Sequence, residues 1–119
     1  MGKRGRARGR TERLEAPPSE YTSPDGDVLV LRGSLTAKTR VRYDETLHGN
    51  RLSQEDAWQR AVELLFEHLA VRWTISGVPT EGQRELLMRL RVATPGERRF
   101  VRDALREHVA EHFPDLQAP

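Results

Sequence analysis

The residues best placed by type and spacing to do chemistry are His108-Val109-Ala110-Glu111-His112. This is an H-x-x-E-H spacing. On a helix it puts two imidazoles on one face, where both can reach a single zinc ion while the glutamate polarises its water. A peptidase built this way needs a further carboxylate ligand well downstream, and only Phe113 to Pro119 follow. Two histidines near a helix C-terminus are also favoured by the helix dipole alone. The expectation is therefore no metal site, with His108 and His112 kept as weak candidate ligands. His48 and His68 are isolated, and a boundary role suits them better than a catalytic one. There is no cysteine, so disulfides, thiolate metal sites and cysteine nucleophiles are excluded. The phosphate-loop spacing G-x-x-x-x-G-K-[ST] is absent. We expect a non-enzyme without a cofactor.

A second chemistry lies at the N-terminus. Lys3, Arg4, Arg6, Arg8, Arg10 and Arg13 face only Glu12, a net charge of +5 over residues 1–13. The other residues hold fourteen basic and seventeen acidic side chains, a net −3. The overall +2 hides a basic arm on a mildly acidic body. Guanidinium groups fork onto phosphates, and closely spaced Gly2, Gly5 and Gly9 let a backbone follow a polyanion. Such contacts release counterions and are sequence-independent. The six basic residues are thus candidate nucleic-acid contacts. The arm has almost nothing apolar before Leu14 and is expected to be disordered in isolation.

The elements that position these groups follow from patterning. The chain of 119 residues fits one domain. Residues 1–26 read as the basic arm plus a linker over 14–26, where Pro17, Pro18 and Pro24 oppose helix and Asp25-Gly26 signals a turn. Residues 27–119 read as the helical domain. Val28–Leu31 is a short apolar run that reads as a strand. Residues 35–47 carry both a strand alternation and an i+4 pattern of Leu35, Thr39, Tyr43 and Leu47. We favour a helix over 36–47.

Ser53 is placed to cap a second helix whose stripe is Trp58, Ala61, Val62, Leu65, Leu69 and Trp73. Thr80 and Gln83 suggest a capping box for a third helix, with Leu86, Leu87 and Leu90. Thr94-Pro95-Gly96-Glu97 is the strongest local signal: N-cap, proline at N1, and a glutamate reaching back from N3. Phe113-Pro114 stops that fourth helix. The expected fold class is mainly α: a small bundle of about four helices with a short N-terminal β element and a disordered basic arm.

Arg84, Arg89 and Arg91, with Arg98, Arg99, Arg102 and Arg106, run along the last two helices. Interleaved acids make an ion-pair face the expectation there, with Asp103 and Glu107 beside Arg99 and Arg106, rather than a major-groove reader. Trp58 and Trp73 are expected to pack in the core, and an exposed one would anchor a protein contact. No apolar run approaches a membrane span, and no apolar segment follows the N-terminal charges as in a secretory signal, so a soluble cytoplasmic protein is expected. Its expected partners are nucleic acid, through the arm, and a protein or a second copy, through the body.

Asp56-Ala57-Trp58 through Val71-Arg72-Trp73, then Pro79, Gln83-Arg84-Glu85-Leu86-Leu87 and Val101-Arg102 to Phe113-Pro114, resembles small uncharacterised proteins of actinobacteria. These share the order basic arm, proline linker, helical body, and the resemblance implies no activity. Leu35 to Tyr43 is similar to the first helix of tyrosine-recombinase DNA-binding domains. The order strand, helix, then a helix ending in Val71-Arg72-Trp73 is similar to phage tail-assembly chaperones, although Thr74 stands where an acidic residue often follows that tryptophan. That last likeness implies an assembly factor with an incidental arm.

Overall fold

The structure, a computed structural model, describes residues 17–48 and 54–119. The basic arm and the Ser53 cap lie outside the described residues. The elements run β1 (Ser19–Thr22), β2 (Val28–Leu31), α1 (Ala37–His48), α2 (Gln54–Leu69), β3 (Ala70–Ile75), β4 (Val78–Glu81), α3 (Gln83–Arg91) and α4 (Pro95–His112). The strands form one antiparallel sheet in the order β1-β2-β3-β4. The class is α+β. The expected mainly-α bundle with a short β element is thus corrected by two hairpins, one at each edge of this sheet.

The first hairpin lies partly inside the segment read as linker. Ser23 N–H donates to the Asp27 carbonyl at 2.8 Å, which closes a three-residue loop of Pro24, Asp25 and Gly26. Proline presets the first loop position, and Gly26 takes φ +90°, the left-handed geometry that ends such a loop. The Ser23 hydroxyl accepts from the Asp25 and Asp27 amides. The ordered domain therefore begins before Asp27.

The second hairpin was missed because of a coincidence of spacing. Leu69 to Trp73 is four residues, and a step of four satisfies both the helical repeat and the alternation of a strand. The helix instead stops at Leu69 and β3 takes Trp73. Val71, Thr74 and Ile75 are β-branched and favour extended backbone. Ser76 and Gly77, with φ of 52° and 80°, form the two-residue turn that returns the chain as β4. Thr80 consequently belongs to β4 and cannot cap α3. The N-cap is Gly82 at φ 94°, without a side-chain cap, and the Gln83 side chain donates to the Glu67 carbonyl at 3.1 Å.

Other expectations hold. Residues 37–48 are helical, starting after Thr36, whose hydroxyl accepts from the Thr39 amide at 3.1 Å. The Thr94–Glu97 capping box is complete, with Pro95 at N1. Glu97 also meets Arg89 at 3.0 Å. The Thr94 amide, first, and Arg89 hold its carboxyl below the usual range. The core joins Leu29, Leu31 and Trp73 of the sheet to Leu65, Phe66 and Leu69 of α2, Leu86 and Leu90 of α3, and Val101, Leu105 and Val109 of α4. Tyr43 of α1 and Phe113 close it at one end.

Gly82 is the position where substitution reads out this geometry. A Cβ there would sit 2.7 Å from Glu85 Oε1 in a left-handed backbone, whereas one at Gly96 meets nothing within 4 Å. Gly82→Ala should cost roughly 1–3 kcal/mol in denaturant unfolding. Gly96→Ala, inside the first turn of α4, should leave stability equal or higher.

Candidate functional site

The H-x-x-E-H residues do come together, but around a hydrogen-bond network. His108 and His112 are one turn apart on α4, with ring centroids 4.5 Å apart. His108 is fully buried and His112 half-buried. His108 Nε2 lies 2.6 Å from the Arg32 carbonyl just after β2, and its Nδ1 lies 2.8 Å from the Tyr21 hydroxyl on β1. A carbonyl can only accept, so Nε2 carries the proton. Nδ1 is then the acceptor and Tyr21 O–H donates to it. Both nitrogens are committed, and no lone pair is left for a metal. Among the described residues, no three His, Asp or Glu side chains converge as a metal site.

The serine arrangement is equally informative. Ser19 Oγ is 3.2 Å from His112 Nε2. Glu111 Oε1 lies 4.0 Å from that same nitrogen. In a nucleophilic relay the carboxylate sits behind the ring, on the other nitrogen, so this geometry does not activate Ser19. The pattern that could have built a metal site instead fastens the first hairpin to α4.

Electrostatics agree with a neutral His108 and a neutral Tyr21. Burial holds the His108 pKa below 6.5 and His112 adds to that, against the Arg32 carbonyl and Glu111, which favour the cation. Burial, then Glu111 and Glu107, raise Tyr21 above 10, against its contact with Ser19. A histidine bound neutral is a loss on acidification. The unfolded chain takes up a proton near pH 6.5 while the folded one resists until lower pH, so His108 stabilises above that value and loses this contribution as pH falls.

The tryptophans part company. Trp73 is wholly inside, edge-on to Phe66 at 5.8 Å, with the Arg89 guanidinium 5.4 Å from its ring centre. Its Nε1 has no hydrogen-bond partner among the described residues. As an interface candidate Trp73 is corrected to core, because β3 turns it inward. Trp58 on α2 is half-buried, and Arg102 of α4 lies 4.8 Å from its ring centre. It lines a cavity of about 610 Å³ with Leu47, His48, Arg106 and Ala118, and a small one of about 40 Å³ with Val62, Leu90 and Arg102. The chain after α4 folds back to form one wall. Tyr43 O–H donates to the Gln117 carbonyl, Arg106 Nε donates to the Pro119 carbonyl at 2.8 Å, and Arg40 meets Asp115 at 3.4 Å. Burial, then Asp44, pushes Tyr43 up to about 12.

A third concavity of about 410 Å³ lies between the Pro24-Asp25-Gly26 turn and the start of α4. Asp25, Asp27, Glu97 and Asp103 line it against a single Arg99. Asp27 accepts from the Ser76 amide at 3.1 Å, which ties the two hairpin turns together. The helix arginines are paired differently from expectation. Arg89 pairs with Glu97, Arg91 with Glu63, Arg102 with Trp58 and Arg106 with the Pro119 carbonyl. Lys3, Arg4, Arg6, Arg8, Arg10 and Arg13 lie outside the described residues. Among the described residues, no helix is long and apolar enough to cross a membrane. Comparison with protein-family models, with curated proteins and with solved structures returned no match.

The sequence singled out His108 and His112 but missed Tyr21, Ser19 and the Arg32 carbonyl. The signal that could have found them is Ser-Pro-Asp-Gly between Glu20-Tyr21-Thr22 and Val28–Leu31, a hairpin turn between two strands. Tyr21→Phe strands the buried Nδ1 and should cost about 1–3 kcal/mol in thermal or denaturant unfolding. The melting temperature should fall from about pH 8 to about pH 5. It should fall less in His108→Gln, which keeps a donor and an acceptor but does not titrate in that window.

Proposed function

We propose that this protein is a non-enzymatic binding protein of the cytoplasm, with a folded protein-contact body and an arm that tethers it to nucleic acid. The observation that carries the reading is the charge division, +5 over residues 1–13 against −3 elsewhere. A net acidic body repels polyanions, so attraction has to reside in the arm and fade with salt. No cofactor is part of this reading. The commitment of both His108 nitrogens within the fold supports a structural role for the residues that otherwise suggest chemistry. Trp58 supports the contact surface: a half-buried aromatic under an arginine, at the junction of two concavities, has the composition of an interface anchor.

The same tryptophan favours the second reading, a structural or assembly factor in which the arm is incidental. That reading draws on the Trp58 surface alone. The stretch Val71-Arg72-Trp73, which is similar to tail-assembly chaperones, lies on β3 and not at a helix end.

Fluorescence anisotropy with a generic duplex and a single-stranded RNA separates the two. The full chain should bind both, with log affinity against log salt falling at a slope of up to about −5 on duplex. A chain with Lys3, Arg4, Arg6, Arg8, Arg10 and Arg13 all changed to serine should lose that binding. Equally weak binding by both chains, with partner capture that survives the serine changes and is lost in Trp58→Ala, would instead establish the assembly reading.

A further inference from the structure

The two edges of the sheet are not equivalent. In β4, Ile75 and Val78 close the two-residue turn and bond to each other across it, as do Trp73 and Thr80. Pro79 and Glu81 are then the residues whose backbone faces outward. Pro79 has no N–H, which blunts that edge. In β1, the Ser23–Asp27 closure makes Tyr21–Leu29 and Ser19–Leu31 the bonded pairs. Glu20 and Thr22 therefore turn their N–H and C=O groups away from β2, and neither amide is engaged among the described residues. Hydrogen bonds from Tyr21 to His108 and from Ser19 to His112 hold this edge firmly on α4.

We propose that β1 is a self-pairing edge, on which a second copy of this chain lays its own β1 antiparallel to form one continuous eight-stranded sheet. The register follows from the sequence. With the two-fold axis at Tyr21, Glu20 stands opposite Thr22 of the second copy. Each Glu20 amide donates to a Thr22 carbonyl and each Thr22 amide to a Glu20 carbonyl, which makes four bonds. Pro18 falls opposite Pro24, so the ladder stops there for want of donors. A shift of two residues one way sets Glu20 against Glu20, and the other way sets it against Pro24. The first is repulsive and the second loses bonds.

Charge supports the same arrangement. In this register the chain preceding β1 of one copy runs toward the Pro24-Asp25-Gly26 turn of the other, beside the concavity lined by Asp25 and Asp103. Neither of these carboxylates has an ion pair among the described residues. Arg13 is four residues before Pro17, a reach of about 14 Å. The basic residues of one copy are thus tethered within reach of the acidic cleft of the other.

Sedimentation equilibrium of the full chain, without nucleic acid, tests this independently of polyanion binding. The expected result is a concentration-dependent monomer–dimer equilibrium that weakens with salt. Glu20→Pro removes two of the four intermolecular bonds and none of those to β2. It should raise the dimer dissociation constant about tenfold or more. Asp25→Lys with Asp103→Lys, which leaves the strand untouched, should weaken the dimer and flatten its salt dependence. A chain that stays monomeric at all concentrations would overturn the proposal. So would a dimer of unchanged affinity in both variants, since it would use another surface.

Discussion

One buried interaction organises the first hairpin. His108 accepts from Tyr21 on β1 and donates to the Arg32 carbonyl beyond β2, so a single imidazole spans both strands from the helix above them. A short hairpin is marginal by itself. Here it is held by packing of Leu29 and Leu31 into the core and by two directional bonds that fix the tautomer of one ring. The cost of burying a polar ring is met because both nitrogens are satisfied. The same satisfaction removes the ring from chemistry, since neither a metal nor a substrate proton finds a free lone pair.

That constraint sets the character of the rest. With β1 fastened to α4 through Tyr21 and Ser19, the Glu20 and Thr22 amides face outward at one edge of the sheet, while the opposite edge carries Pro79. The second hairpin is coupled to the first through Asp27, which accepts from Ser76, so the two turns sit side by side at one end of the sheet. The acidic concavity opens at this end, between the first turn and the start of α4. Trp58 and the returning C-terminal segment define a separate surface on the helical side. These two concave surfaces do not share residues with the histidine network.

The helices were legible from residues alone where capping and periodicity coincide. Thr94-Pro95-Gly96-Glu97 specifies a start by hydrogen bonds within four residues, and it is seen as read. Leu65, Leu105 and Val109 fall on stripes that mix steps of three and four, a period only a helix satisfies. The sheet was legible only in part, because the Leu69-to-Trp73 step serves both periods and because Pro17, Pro18 and Pro24 disguised a strand between them. The i, i+4 histidines were recognisable as a pair, but not their partners.

What the residues determined by themselves is local: the start and stop of α4, the strand at Val28–Leu31, the charge division between arm and body, and the exclusion of cysteine chemistry. These depend on neighbours within a few positions, or on composition. What only the tertiary structure decided is the fold class, the burial of Trp73, and the use of His108 as a fastener. Each depends on contacts across long separations, 87 residues for Tyr21 to His108 and 76 for Arg32 to His108. A hydrogen-bonding side chain has no role until the chain delivers its partner. The motif alone could not distinguish a carbonyl and a phenol from a metal ion.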